Sequence, residues 1–274
     1  MKRGCRPIVS VDGCHLTRPH KGVWLSACGI DPNNGMFPIC YCVTEDEHKR
    51  SWTWFVELLI EDIGIYEQEK WTIISDRQKG LLPAIYELLP RIEHRYRVKH
   101  IYDNFKKEHH GLSLKDKLWG AARATHVNQF KAEMDALKKL DEHAYKWLAE
   151  INLTHWTKSY FRTSPKCDLL LNNLSETFNS VILDARIKPL IGMVETIRIY
   201  LQKRLQAKRE YIEKYDCSIC PNIQGKLEKL KDQSRICISS HAGGGKFEVR
   251  DMFGGRYAIN INEKTCSCRG WDLT

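Results

Sequence analysis

The sequence lacks any segment of the kind that spans a membrane or directs secretion. No apolar run approaches the ~20 residues that a transmembrane helix needs. The basic start MKRGCRP is followed by IVSVD, where an acidic residue interrupts the apolar stretch of a signal peptide. We therefore expect a soluble, intracellular protein without a membrane partner.

Proline and glycine are missing from one long part of the chain. From about Lys106 to Trp156 there is no proline, and no glycine follows Gly120. Apolar residues there recur every three or four positions, at Phe130, Met134, Leu137 and Leu140. This spacing predicts a block of helices.

The eleven cysteines do not indicate a disulfide framework, because the chain is large and has no secretory signal. Reduced, mostly buried thiols are expected instead. Cys217 and Cys220 form a CxxC pair that is half of a metal site, and its role stays open. Cys266 and Cys268 form a second pair, and no Cys or His follows them to complete four zinc ligands.

Positive charge is concentrated in the last third of the chain. The net charge is +9, and residues 186–235 hold twelve Lys and Arg against six Asp and Glu. One interpretation is a solvated helix face; the other is a surface that follows a phosphate backbone. In the second case the candidate DNA-binding residues are Arg186, Lys188, Arg198, Lys203, Arg204, Lys208 and Arg209.

The first hundred residues predict an α/β fold. Two β-rich runs flank the turn DPNNG and predict a hairpin, and SWTWFVELLIEDIG predicts a helix between an N-cap at Ser51 and Gly64. A strand at WTIISD, a helix entered through Gly80 and a fifth strand within RYRVKHIYDNF follow. We expect three antiparallel strands, then parallel strands, in a mixed sheet flanked by helices and interrupted by the helical block.

Three acidic residues could meet in such a fold. Asp12 and Asp76 end strands that would be neighbours, and Glu176 lies on the predicted returning helix NNLSETFNSVILDARI. Three carboxylates of this kind can hold two divalent cations for phosphoryl transfer, and their oxygens suit Mg²⁺ or Mn²⁺. Ordinary structural roles remain open: Asp12 as a turn former, Asp76 as an N-cap or surface ion pair, and Glu176 as a first-turn acid.

Several strings along nearly the whole chain resemble plant Mutator-like element (MULE) transposases. They are VDGCHL, GIDPNNGMFPI, SWTWFVELL, SDRQKGL, HIYDNFKK, YFRTSPKCDLLLNNLSETFNSVI and GGRYAIN…CSCRGWDLT. The resemblance implies a ribonuclease H-like fold with an all-helical insertion and a DDE triad at Asp12, Asp76 and Glu176. It also implies Mg²⁺ or Mn²⁺, terminal inverted repeats of DNA as the partner, and a nuclear location.

The chain departs from that family pattern in three places. The family has a CxxH pattern before IYDNF, whereas this chain has Arg97 at the cysteine position and keeps His100 as a candidate accessory residue. The family's SWIM zinc motif runs CxC…CxH, so Cys266 and Cys268 would bind Zn²⁺ only if a longer protein completes the motif. The zinc-binding DNA-recognition region that precedes the core in the family is not represented.

The predicted organisation has four parts: residues 1–105 as the first part of the core, 106–165 as the helical insertion, 166–215 as returning core helices, and 216–274 as an extension ending in the incomplete zinc motif. The function expected from the resemblance is metal-dependent DNA cleavage and strand transfer. The alternatives are a domesticated DNA-binding regulator of the far-red-response type and an inactive fragment. The oligomeric state stays open.

Overall fold

The fold is described from a computed structural model of the chain, for residues 4–16, 21–170 and 173–273. Compactness divides it into two units. The first comprises Met1–Glu67, Arg77–Pro90 and Asn173–Glu228, and the second comprises Gln68–Asp76, Arg91–Asn172 and Lys229–Thr274. No helix in the described ranges is long and apolar enough to cross a membrane.

Three strands of the first unit form an antiparallel meander in the order β3-β2-β1. They are β1 (Ile8–His15), β2 (Val23–Ile30) and β3 (Met36–Thr44). The predicted hairpin is present between β2 and β3. Its turn is closed by Asp31, whose Oδ1 accepts hydrogen bonds from the backbone N–H groups of Asn33 and Gly35 at 3.0 and 2.7 Å.

Two parallel strands of the second unit, β4 (Thr72–Ser75) and β5 (Glu93–Tyr96), complete a mixed five-stranded sheet. The prediction of a strand within RYRVKHIYDNF is largely wrong. The strand ends at Tyr96, and Val98–Glu108 forms helix α3 instead. Val98, Ile101 and Phe105 are buried at helical spacing, and this periodicity outweighs the β propensity of the segment.

Two helices of the first unit pack against each other, α1 (Lys49–Ile63) and α2 (Leu81–Leu88). Helix α1 begins two residues before the predicted N-cap, so His48 and not Ser51 occupies the N-cap position, without a side-chain capping hydrogen bond. Its end is as predicted, because Gly64 adopts the left-handed conformation with φ 71°. Helix α2 follows Gly80 as expected.

The glycine-poor block is helical. Its three helices are α4 (Leu112–Arg123), α5 (Val127–Leu140) and α6 (Glu142–Ala149). Phe130, Met134 and Leu137 are buried along one face of α5, as the spacing predicts, whereas Leu140 is 55% exposed. Asp141 caps α6 by accepting hydrogen bonds from the N–H groups of His143 and Ala144.

Three more helices come after this block, α7 (Asn173–Val181), α8 (Leu190–Glu213) and α9 (Pro221–Ser234). Helix α7 packs against β1, β2 and β3. The sequence of α8 places apolar residues at helical spacing, at Ile197, Leu201, Leu205 and Ile212. Of these only Ile197, near the start of the helix, is buried, while Leu205 and Ile212 are 49% and 44% exposed.

The C-terminal part of the second unit contains a separate antiparallel sheet of four strands, in the order β6-β7-β8-β9. They are β6 (Cys237–Gly243), β7 (Lys246–Asp251), β8 (Arg256–Asn260) and β9 (Thr265–Cys266). A short helix, α10 (Gly270–Leu273), follows. The string GGRYAININEKTCSCRGWDLT predicts a short hairpin or strand pair, and β8 and β9 lie within it. Strands β6 and β7 and helix α9 were not predicted from the sequence.

Candidate active site

Asp12 lies inside β1, three residues before its end, so the prediction that it ends the strand is wrong: Gly13, Cys14 and His15 continue the antiparallel pairing with β2. Asp12 is 9% exposed, and it pairs with Ser26 of β2 in the antiparallel register. A buried carboxylate needs hydrogen-bond donors. One is the Nδ2 of Asn179 on α7, 2.8 Å from Oδ2 of Asp12.

A second contact holds α7 against the same strand. The hydroxyl groups of Ser175 and Ser10, both fully buried, form a short hydrogen bond, and Ser175 Oγ also lies 3.4 Å from the carbonyl oxygen of Ser10. The two contacts are four residues apart on the helix and two apart on the strand, so α7 lies alongside β1. Glu176, half-buried, lies between the two contact points on this helix. The structure therefore brings the helix of Glu176 to the strand of Asp12.

Glu47 is a carboxylate beside Gly13, the residue after Asp12, and its placement was not predicted from the sequence. A Cβ atom added to Gly13 would lie only 2.5 Å from Oε1 of Glu47, so a larger residue there would require the Glu47 side chain to move. Glu47 also lines an open cavity of about 760 Å³ together with His15, Lys21 and Lys79. The sequence offered no signal for this placement, because Glu47 lies in a loop between β3 and α1.

Asp76 follows β4 in the second unit and contacts the side chains of Arg97 and His100. Its Oδ1 lies 2.8 Å from Nε of Arg97, and its Oδ2 lies 3.2 Å from Nε2 of His100. Arg97 is the N-cap residue of α3, and His100 lies in the first turn of that helix. These are the two positions of the CxxH pattern in which Arg97 replaces the cysteine, and both of them face Asp76.

A buried polar chain supports the strand that precedes Asp76. The Ser75 hydroxyl lies 2.7 Å from Nε2 of His94 on β5, and it donates to the carbonyl oxygen of Asp76 at 2.9 Å. Burial, and then the neighbouring His155, lower the pKa of His94 to about 3. His94 is therefore neutral at physiological pH.

Most of the predicted DNA-binding side chains already have partners within the chain. Arg186 donates to the carbonyl oxygen of His15, and Lys208 pairs with Asp31. The contacts of the others are Lys188 with Thr196, Arg198 with Glu195, Arg204 with Met36, and Arg209 with Gln206. Lys203 is exposed on α8. The assignment of these residues to DNA stays a prediction.

The terminal thiols are close to each other. The sulfur atoms of Cys266 and Cys268 lie 3.0 Å apart, and the backbone N–H of Gly270 lies 3.3 Å from Sγ of Cys268. Burial, and then a hydrogen bond with Cys268, raise the pKa of Cys266 to about 11. Cys217 and Cys220, in the other unit, lie in the segment between α8 and α9.

A comparison with protein families gives a match for the first part of the chain. Residues 8–104 match the family model of the MULE transposase domain. This segment is therefore similar to a MULE transposase domain. Within the matched segment lie Asp12, Asp76, Arg97 and His100, whereas Glu176 lies beyond it. No curated protein matches the chain in sequence. The domain implies DNA binding.

Asp12, Asp76 and Glu176 carry the type of ligand atom that a divalent cation binds. At Asp76 the guanidinium of Arg97 would have to move before a cation could bind. Carboxylate oxygens are the ligands that Mg²⁺ and Mn²⁺ prefer. Near Asp12, the Oδ1 atom of Asn179 is a buried acceptor without a hydrogen-bond partner in the described residues. No three His, Cys, Asp or Glu side chains within the described ranges form a ready cluster for a metal ion. At Asp76, the guanidinium of Arg97 lies where a cation would bind.

Proposed function

We propose that the chain is the core of a MULE transposase that cuts and joins DNA, with a ribonuclease H-like fold. The observation that carries the proposal is the contact between α7 and β1. It attaches the helix of Glu176 to the strand of the buried Asp12, although the two residues are more than 160 positions apart in sequence. A purely structural aspartate at a turn would not need this long-range hydrogen bond.

In this proposal Asp12, Asp76 and Glu176 would hold Mg²⁺ or Mn²⁺. The ions would activate an attacking water or 3′-hydroxyl and stabilise the leaving oxygen. The residues of the chain would supply the negative charge and the fixed geometry: Asn179 would orient Asp12, and the pair of Ser75 and His94 would support the strand end that bears Asp76. We also propose the nucleus as the site of action and terminal inverted repeats as the DNA target.

A nicking assay with supercoiled plasmid and Mn²⁺ tests this function without knowledge of the target sequence. We expect the wild-type chain to convert supercoiled DNA into the open circular form. Asp12→Asn, Asp76→Asn and Glu176→Gln should each abolish nicking, while DNA retention in a gel shift persists. Asp168→Asn serves as the control, because Asp168 pairs with Lys158 outside the candidate site. Nicking that persists in all three site variants would refute the proposal.

The second candidate function is DNA binding without cleavage, as in a domesticated regulator. The specific observation in its favour is the ion pair of Asp76 with the buried Arg97, which neutralises a carboxylate that catalysis would need. The same assay separates the two functions. Salt-sensitive retention of DNA with no nicking in Mg²⁺ or Mn²⁺ would support the regulator.

A further inference from the structure

Arg97 has a strong physical reason to remain next to Asp76. Its side chain is 3% exposed, whereas that of Asp76 is 24% exposed. A guanidinium keeps its charge at any ordinary pH, and a buried charge is costly without an opposite charge nearby. The carboxylate of Asp76, with Oδ1 2.8 Å from Nε, supplies that opposite charge.

The backbone fixes this pair in place. Arg97 directly follows β5, and its N–H donates to the carbonyl oxygen of Ser75 at 3.2 Å. Ser75 is the last residue of β4, and Asp76 follows it immediately. The ends of the two parallel strands therefore hold the guanidinium and the carboxylate side by side, and Arg97 occupies the N-cap position of α3.

A divalent cation and this guanidinium require the same carboxylate oxygens. Two cations within about 4 Å of each other in a partly buried place repel strongly, because screening by water is weak there. We propose that Arg97 is a built-in competitor of the metal ion at Asp76, so that a cation binds this carboxylate only when the guanidinium withdraws. This inference rests on the proposed function, since it concerns one of the proposed metal ligands.

The inference assigns Arg97 a role that differs from catalysis and from simple structural support. Arg97 keeps Asp76 oriented and offsets its charge in the absence of metal. It therefore sets the cation concentration at which the site would load. Removal of the guanidinium should raise the affinity for a divalent cation even if no DNA is present.

A titration of the full chain with Mn²⁺ alone tests the inference. Calorimetry measures the binding, and electron paramagnetic resonance measures the ion that remains free. We expect Arg97→Gln to bind Mn²⁺ about tenfold more tightly than the wild type, because one nearby positive charge is removed. The control is Lys107→Gln, which removes one positive charge from an exposed position on the same helix. It should leave the affinity unchanged. The double variant Arg97→Gln with Asp76→Asn should not show the tighter binding.

The wild-type chain provides an independent measurement if Arg97→Gln does not fold. In a ¹⁵N spectrum of arginine side chains, saturation with Mg²⁺ should shift the Nε–H signal of Arg97 and increase its exchange with water. An unchanged signal under saturating Mg²⁺ would overturn the inference.

The outcomes distinguish this inference from the proposed function. If folded Arg97→Gln and the wild type bind Mn²⁺ with equal affinity, the competition is absent and only the inference fails. If neither binds Mn²⁺ at any concentration up to the millimolar range, the proposed metal-dependent function fails along with it.

Discussion

Asn179 on α7 donates a hydrogen bond of 2.8 Å from its Nδ2 to Oδ2 of Asp12 on β1. This bond connects two residues that are 167 positions apart in sequence. Because Asp12 is only 9% exposed, water cannot fully replace the donor if it is removed. The position of the candidate catalytic carboxylate therefore depends on a helix far along the chain.

Replacement of Asn179 by alanine should weaken both the fold and the site. Loss of the donor to a buried carboxylate is expected to cost about 1–2 kcal/mol of unfolding free energy. Urea denaturation of the variant measures this loss, and the nicking assay should show reduced activity. Thr177→Ala, at an exposed position on the same helix, is the control and should behave as the wild type.

A buried network around Glu93 should be a stability centre of the second unit. Glu93 Oε2 accepts hydrogen bonds from Thr72 Oγ1 at 2.6 Å and from Arg95 Nη2 at 2.8 Å, and its Oε1 accepts from the N–H of Arg162 at 2.6 Å. The guanidinium of Arg95 also lies 3.9 Å above the ring of Phe161. Glu93→Gln leaves the charge of Arg95 buried without its counter-ion, so we expect a loss of about 3 kcal/mol.

The same change at an exposed pair provides the comparison. Glu142 and Lys146 form an ion pair on the surface of α6, and Glu142→Gln should leave the melting temperature unchanged. Equal melting temperatures of the Glu93 variant and the wild type would contradict the role assigned to the network.

His94 should make the second unit sensitive to acid. Its pKa is about 3 in the folded state, below the ordinary value of 6.5 that applies when the chain is unfolded. Between pH 3 and pH 6.5 this histidine therefore binds a proton in the unfolded chain but not in the folded one. The free energy of unfolding should fall as the pH decreases from about 6.5 towards 3. The expected slope from this group is about 1.4 kcal/mol per pH unit. Denaturation of wild type and His94→Gln across this range should show a smaller acid loss in the variant; parallel curves would refute the assignment.

The basic residues of α8 should divide into two groups with different effects. Lys208 pairs with Asp31, and Arg204 Nη2 donates to the carbonyl oxygen of Met36 at 3.0 Å, so their replacement should lower stability. Lys203 and Arg209 are exposed, and their replacement by glutamine should weaken DNA binding while the melting temperature stays constant. For each phosphate that is no longer neutralised, the negative slope of log affinity against log salt should become shallower by about 0.9. Binding that is independent of salt would exclude this surface as the DNA site.

Local patterns in the sequence were sufficient for most of the secondary structure. Asp31 and Gly35 define the β2–β3 turn by short-range hydrogen bonds, and Gly64 ends α1 because a left-handed residue is needed there. The periodicity around Phe130 likewise predicted α5. These features depend on neighbours within a few residues, so they can be read without knowledge of the fold.

The partners of the candidate site required the tertiary structure. The segment after Tyr96 is ambiguous by propensity, and packing of Phe105 and its neighbours made it a helix. That helix begins with Arg97 beside Asp76, a juxtaposition that composition does not reveal. Asn179 reaches Asp12, and Glu47 reaches the neighbouring Gly13, only because the chain folds back on β1. The sequence identified the acidic residues, while long-range packing determined which charges and donors surround them.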